Sequence, residues 1–143
     1  MRAALLLALF TSSCFAQLKG VVDLHVHSDP DSAPRSIDAL EAARMARDEG
    51  MRALLLKNHF APTVQLAYIV AHAVPGVEVY GGIVLNRSVG GINPFAVEQA
   101  ATFKGGYARV VWMSTFDAGK VPVSRDGKLL PEVLYVLRMM AKY

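Results

Sequence analysis

The stretch VVDLHVHSDPDSAPR, residues 21–35, decides the fold of this chain. Its first half is a short apolar run rich in valine, which predicts a β-strand buried on both faces. Prolines and acidic residues then end the strand. Side chains alternate along a strand, so Asp23, His25 and His27 share one face and the apolar residues between them share the other. We expect the apolar face to pack under helices, which leaves the two imidazoles on the opposite side.

The rest of the chain repeats this alternation of strand and helix. Apolar runs predict further strands, and helical spacing of apolar residues predicts helices between them. Ser36 is the expected N-cap of the first helix, Pro62 lies in the first turn of the second, and Asn93 caps the third. Asp126-Gly127 indicates a small hairpin before a last helix that opens at Pro131. The predicted strands cover residues 20–28, 52–60, 77–86 and 108–115.

The spacing of these units determines the fold class. Strand and helix alternate at about 30 residues per unit, which is the pattern of a parallel α/β sheet. A closed (β/α)8 barrel takes about 250 residues, so we predict a partial TIM-like barrel with about four parallel βα units, equivalent to an N-terminal half. A four-stranded doubly wound sheet is the alternative. It is disfavoured because no glycine-rich phosphate loop follows the first strand.

Residues 1–16 differ in character from the rest of the chain. One basic residue, Arg2, precedes an apolar block and then small residues up to Ala16, which is typical of a secretory signal peptide. We therefore predict export, to the periplasm or outside the cell, with residues 17–143 forming a single domain. Lipid anchoring through Cys14 is the alternative. Cys14 is the single cysteine, so any metal bound by residues 17–143 must be held by nitrogen and oxygen.

Composition narrows the possible partners. The chain has 143 residues, of which 53% are apolar and 19% are charged, as in a globular domain. Its net charge of +3 comes from scattered basic residues, so we predict no nucleic-acid partner. A small-molecule substrate is expected instead. Four parallel strands would leave two edges unpaired, which predicts self-association or completion by a C-terminal half.

Histidines at strand ends indicate a metal site. His25 and His27, two residues apart on one strand face, can both reach one cation at ~2.0–2.1 Å. His59 ends the second apolar strand, LLLKNH, and the carboxyl ends of parallel strands meet at one edge. We therefore predict that these three histidines are ligands of a divalent metal. His72 lies within a predicted helix and is interpreted as a surface or packing residue.

Other polar residues surround the predicted ligands. Asp23 is placed to orient an imidazole or to complete the coordination. Lys57 could bind an anion, be carbamylated into a ligand or form an ion pair, and the ion pair with Asp23 is slightly favoured. Asp31 could supply an oxygen ligand, and Arg35 could hold an anionic substrate by its planar fork. For both, an ordinary capping loop is an equal alternative, and for Asp29 the capping loop is preferred.

The segment DLHVHS, followed by a helix and a strand that ends in histidine, resembles metal-dependent hydrolases of the amidohydrolase clan. Its spacing is most similar to the polymerase-and-histidinol-phosphatase (PHP) phosphoesterases, over residues 21–60. The resemblance implies that His25, His27 and His59 bind zinc, manganese or iron in a centre of two or three metals. Those proteins usually carry Asp before the second-strand histidine, where this chain has Asn58.

The third and fourth strands depart from the resemblance. The phosphoesterases have a ligand glutamate near the end of strand three, where this chain has Val84. Glu78 belongs to the start of that strand, so we expect it at the opposite end and predict Asn86 as the site-facing group. Strand four is followed by Thr115 and Asp117, and later ligands of the clan have no counterpart.

These observations predict a metal-dependent hydrolase of the amidohydrolase or phosphoesterase type, in which a histidine-bound metal activates water. The incomplete ligand set predicts that the chain is truncated and has no more than trace activity alone. The alternative is a non-catalytic metal-binding or partner-binding remnant.

Overall fold

A computed structural model describes residues 18–143 of the chain. The predicted signal peptide, its cleavage after Ala16 and the lipidation of Cys14 therefore lie outside the described residues. Along residues 18–143, no helix is long and apolar enough to cross a membrane.

Four strands and four α-helices alternate as the sequence predicts, and a two-stranded hairpin precedes the last helix. The elements are β1 (Val22–His27), α1 (Ala39–Asp48), β2 (Ala53–Lys57), α2 (Val64–Ala73), β3 (Glu78–Val84), α3 (Pro94–Thr102), β4 (Ala108–Trp112), β5 (Ser124–Arg125), β6 (Lys128–Leu129) and α4 (Pro131–Lys142). Short 3-10 helices follow β3 and β4, at Arg87–Val89 and Ala118–Lys120.

The main sheet is parallel throughout, in the order β1-β2-β3-β4. Each strand therefore lies beside its neighbour in sequence, and all four carboxyl ends meet at one edge. In this register His27 of β1 pairs with Lys57 of β2. The predicted alternation and parallel sheet are confirmed, and they place the loops after β1, β2, β3 and β4 side by side.

The apolar core lies on one face of this sheet. Leu54 and Leu56 of β2 pack with α1 and α2, and Ile83 of β3 packs with α3 and α4. Val79 and Ile83 are four residues apart in one strand and so point to the same side. Val79 packs with residues of α1 and α2, and Ile83 packs with residues of α3 and α4. Both helix pairs therefore cover the same face of the sheet. The opposite face carries His25 and Lys57.

The prediction that β1 is buried on both faces is wrong. Val22 is 42% exposed and Leu24 is 59% exposed. Of the three apolar residues Val22, Leu24 and Val26, only Val26 packs against the core. β1 is an edge strand of the sheet. Helix α1 covers only its carboxyl-terminal half, and the pairing with β2 shifts register between Asp23 and Val26.

Two predicted helix starts need correction, and two are confirmed, the last being Pro131 at the start of α4. Helix α1 is capped by Asp38, not Ser36, because Asp38 and Glu41 form a reciprocal capping box. Helix α2 begins after Thr63, so Pro62 precedes its first turn. Asn93 caps α3 by accepting a hydrogen bond from the Ala96 N–H, with Pro94 at the first helical position, as predicted.

Thr63 joins β2, β3 and the start of α2. Its buried hydroxyl donates to the Leu56 carbonyl at 2.7 Å and accepts from the Gly82 N–H at 2.9 Å. The adjacent Gly81 lies so close to this helix start that a Cβ there would be 2.5 Å from the Thr63 carbonyl oxygen. A side chain at position 81 would therefore push α2 away from the sheet.

Candidate metal site

The carboxyl-terminal edge of the sheet brings the predicted site residues together. His27 is the last residue of β1, and His59 follows the end of β2 by two residues. The rings of His27 and His59 are 4.7 Å apart between centroids, and those of His25 and His27 are 5.1 Å apart. Parallel pairing of β1 with β2 thus produces the cluster of three histidines that the sequence predicts.

His25 and His27 direct the same ring nitrogen toward a common point. Their Nε2 atoms are 3.2 Å apart. Two nitrogens that share one ion at ~2.0–2.1 Å each can be at most about 4 Å apart, so this separation fits joint ligation of one cation. The Nζ atom of Lys57 lies 3.1 Å from Nε2 of His25, on the same side.

Asp31 holds the other nitrogen of His27. Its Oδ2 atom is 2.7 Å from Nδ1 of His27 and also accepts hydrogen bonds from the Arg35 guanidinium. Its Oδ1 atom accepts from the backbone N–H groups of Ser32 and His59, at 2.7 and 2.9 Å. The carboxyl side chain is fully buried. Asp31 therefore ties the loop after β1 to the loop after β2.

These partners keep Asp31 ionised. Burial by itself would raise the pKa of this carboxyl, but the hydrogen bonds from His59, Ser32, Arg35 and His27 outweigh burial and hold the pKa well below 3.8. An ionised carboxylate at Nδ1 favours the His27 tautomer that carries its proton on that atom. The lone pair of His27 is then on Nε2, the atom that faces His25.

Loops after β2, β3 and β4 fix His59. The His59 carbonyl accepts hydrogen bonds from Nδ2 of Asn86 at 3.0 Å and from the Ser88 hydroxyl at 3.2 Å. Its Nδ1 atom is 3.3 Å from the hydroxyl of Thr115, which follows β4. Phe116 packs beside the ring, with centroids 5.7 Å apart. His59 is therefore positioned by contacts that span three strands.

Burial favours the neutral forms of His27, His59 and Lys57. Burial lowers the pKa of His27 and of His59 below 6.5; the nearby Asp31 opposes this effect, and neighbouring positive charges add to it. Burial also lowers the pKa of the Lys57 amine, again against the influence of Asp31. A neutral imidazole is the form that binds a metal, so these shifts favour ligation near neutral pH.

The favoured role of Lys57 is wrong. Lys57 is buried, with 3% of its surface exposed, and forms no ion pair with Asp23 within residues 18–143. Its amine instead contacts His25 and lies 5.4 Å from the centroid of the Trp112 ring. Asp23 bonds locally, accepting a hydrogen bond from the His25 N–H at 2.9 Å. The side chain of Lys57 points toward the histidines because its strand position alternates with the core-facing leucines.

Asn86 is part of the scaffold rather than a group facing a ligand, which corrects its predicted role. It is 1% exposed. Its Oδ1 atom accepts hydrogen bonds from a cluster of donors in the loop after β4, while Nδ2 binds His59. The donors are the Ser114 hydroxyl and the N–H groups of Thr115, Phe116 and Asp117. With both ends of its amide occupied, Asn86 joins the second, third and fourth loops.

Three other predicted residues have structural partners. Arg35 is paired with Asp31. Asp117 accepts a hydrogen bond from the Arg87 N–H at 3.0 Å. Asp29 belongs to the capping loop, as predicted, since its carboxylate accepts from the Arg35 N–H at 2.8 Å.

Glu78 is the first residue of β3, at the end of the sheet away from the site. His72 contacts Tyr68 on helix α2, outside the site.

The three residues whose possible ligand atoms lie closest together include Asp31 in place of His25, which the sequence predicted. His27, Asp31 and His59 each offer a ligand atom, and these three atoms lie within 4.8 Å of one another. They lie close enough to hold a metal ion. His25 extends the set through its contact with His27. Sequence reasoning left Asp31 undecided and missed Thr115 as a partner of His59; no local pattern in the sequence marks either contact.

The fold and the site together define an α/β protein with a parallel four-stranded sheet and a candidate His/Asp metal site at its carboxyl edge. The chain belongs to DUF6282, a family of unknown function whose sequence model matches residues 20–143. No curated protein and no solved structure matches the chain.

Proposed function

We propose that the chain is a metal-dependent hydrolase of the amidohydrolase or PHP phosphoesterase type, with a zinc, manganese or iron ion held by His25, His27 and His59. The observation that carries this proposal is the 3.2 Å separation of the His25 and His27 Nε2 atoms, with Asp31 bonded to the opposite nitrogen of His27. Imidazoles oriented by a carboxylate are the usual arrangement around protein-bound metals.

The protein residues have distinct roles in this proposal. A bound divalent cation would lower the pKa of a coordinated water toward 7 and polarise the scissile bond. Asp31 keeps the His27 proton on Nδ1, so that Nε2 is available as a donor. Arg35 balances the buried negative charge of Asp31. Both oxygens of Asp31 already accept hydrogen bonds, so in this proposal Asp31 acts by orienting His27, although its ligand atom also lies within 4.8 Å of those of His27 and His59.

A partial barrel is the architecture that we propose for this site. Strands in the sequential order β1-β2-β3-β4, with helices on one face, are typical of barrel segments, whereas a doubly wound sheet reverses its strand order and has helices on both faces. In barrel enzymes the loops at the carboxyl edge carry the site. The polar face that bears His25 and Lys57 would then be the inner face.

Metal content of the purified chain is the direct test. We expect about one zinc or manganese ion per chain after loading, and His27→Ala should remove most of the metal because too few donors remain. The control is His72→Ala, which deletes a histidine outside the site. Elemental analysis measures both variants. Equal metal content in His27→Ala and the unchanged chain would contradict the site.

Hydrolysis distinguishes the two functional candidates. Because its ligand set is incomplete, the loaded chain should cleave a phosphate monoester or an amide model substrate only at a trace rate, and His27→Ala should lose this activity. The second candidate is a non-catalytic metal-binding or partner-binding protein, which the exposed apolar residues of β1 favour. Full metal occupancy with no turnover of either substrate class would select that candidate.

A further inference from the structure

A cavity separate from the histidine cluster lies at the same edge of the sheet. Its volume is about 600 Å³, within the range of small-molecule sites. It is formed by the loop after β3, the segment after β4, the β5–β6 hairpin and the start of α4. Its lining includes Arg87, Gly90, Gly91, Lys120, Arg125 and Glu132.

The cavity adjoins the candidate metal site through the loop after β3. Asn86 and Ser88, on either side of Arg87, both donate hydrogen bonds to the His59 carbonyl. The same loop therefore supports His59 and contributes Arg87 to the cavity. A small molecule bound in the cavity would lie next to the loop that positions the histidines.

Positive charge dominates the lining. Arg87, Lys120 and Arg125 contribute three cations, against one carboxylate from Glu132. None of the three cations forms an ion pair within the described part of the chain, residues 18–143.

Asp117 fixes the segments that carry two of these cations. Its carboxylate accepts a hydrogen bond from the Arg87 N–H at 3.0 Å, and its carbonyl accepts from the Lys120 N–H at 2.7 Å. The backbone contacts hold Arg87 and Lys120 in place while their side-chain charges stay available.

The hairpin brings further like charges together. Arg125 and Lys128 are directly paired across β5 and β6, on either side of the Asp126-Gly127 turn, whose two residues have positive φ angles of 49° and 74°. Like charges directly opposite each other in an antiparallel pair are destabilising. An anion in the adjoining cavity would relieve this repulsion.

We propose that this cavity binds the phosphate-type anionic group of a small molecule, whose other end extends toward the metal site. The placement of the molecule's other end at the metal site rests on the proposed hydrolase function. The binding of the anionic group in the cavity does not rest on it, because that binding needs only the three cations. Charge-assisted hydrogen bonds from arginine and lysine are the strong contacts for such a group.

Titration of the full chain with inorganic phosphate at low salt tests the cavity, with NMR signals of Gly90, Gly91 and the arginine side chains as the readout. We expect saturable shifts at these residues. Arg87→Gln and Arg125→Gln should each weaken binding about fivefold or more, as expected for loss of a charge-assisted contact. The control Arg44→Gln, which removes an exposed arginine from helix α1, should leave the affinity unchanged.

Two outcomes would overturn the inference. One is an equal loss of affinity in Arg44→Gln, since that would reflect net charge alone. The other is loss of phosphate binding in a folded His27→Ala variant, which would place the phosphate on the metal. Binding that persists in His27→Ala supports the cavity whether or not the chain proves to be a hydrolase, so failure of the two proposals can be told apart.

Discussion

At the scale of single residues, the site depends on two buried polar side chains, Asp31 and Asn86, each of which binds several partners. Asp31 joins the first two loops, and Asn86 joins the second, third and fourth. A buried polar group is costly when its partners are removed, because the partners have also lost their water. Both residues would therefore affect the proposed metal binding through the positions of His27 and His59.

Asn86→Ala should lower the free energy of unfolding by about 3 kcal/mol or more, because several buried donors lose their acceptor. Asn93→Ala is the matched control, because this half-buried cap makes two side-chain hydrogen bonds, from the Ala96 N–H and to the Val89 carbonyl, and should cost about 1 kcal/mol. Denaturant unfolding monitored by circular dichroism measures both. Similar losses in the two variants would contradict the role of Asn86 in joining the loops.

The free energy of unfolding of the metal-free chain should fall as the pH is lowered from about 7 to about 5. The pKa of His27 and of His59 lies below 6.5 in the folded chain. The unfolded chain therefore takes up protons first, and stability rises with pH in this range. Asp31 adds a further loss below about pH 4, since its folded pKa is also lowered.

Denaturant unfolding in the presence of a chelator, repeated across this pH range, measures the effect. His27→Gln should flatten the dependence between pH 7 and 5 because one titrating imidazole is removed. A stability that rises on acidification, or an unchanged slope in the variant, would show that the folded chain does not disfavour histidine protonation.

At the scale of elements, close contact of β3 with α2 sets the position of the loop that carries His59. The backbone of Gly81 touches the helix start at Thr63, and the Thr63 hydroxyl bridges β2 and β3. Position 81 requires a residue without a side chain, because a Cβ there would meet the backbone of Thr63. The φ angle of Gly81 is not in the left-handed region, so the conformational freedom of glycine is not the reason. Strand β3 and helix α2 could not approach this closely with any other residue.

Gly81→Ala should destabilise the chain by about 1–3 kcal/mol, because the new methyl group meets backbone atoms that cannot move aside. Gly119→Ala is the control, since a Cβ there has no atom within 4 Å and the φ angle is not in the left-handed region. Thermal unfolding of both variants tests the contact. A neutral Gly81→Ala would mean that α2 can shift without cost.

At the scale of the whole molecule, the sheet leaves apolar surface on β1. Val22 and Leu24 are both largely exposed on an edge strand. Edge strands with exposed apolar residues are prone to pair with other chains. We therefore expect the chain to self-associate through β1.

Leu24→Lys should shift the chain toward the monomer in sedimentation velocity at micromolar concentration. Met45→Lys is the matched control, because Met45 on α1 is also 59% exposed but lies outside the sheet edge. A monomeric unchanged chain, or equal effects of the two substitutions, would contradict an interface at β1.

Local sequence patterns were enough to predict the order and type of the main helices and strands. Apolar runs, helix caps at Asn93 and Pro94, and the Asp126-Gly127 turn are local signals, and local backbone preferences act within a few residues. The alternation in DLHVH also put both histidines on one strand face, and parallel pairing then implied a cluster with His59. These features required no knowledge of distant contacts.

The hydrogen-bond partners of the polar side chains could be identified only from the tertiary structure. Whether Lys57 meets His25 and whether Asn86 faces a ligand or the next loop depend on segments far apart in sequence. The contact of Asp31 with His27 spans only four residues, but Asp31 is also held by the distant His59 N–H. Burial of β1 also could not be predicted, because it depends on which strand lies at the edge and where α1 packs. Hydrogen-bond partners and edge exposure follow from the arrangement of elements in space, which local sequence patterns do not encode.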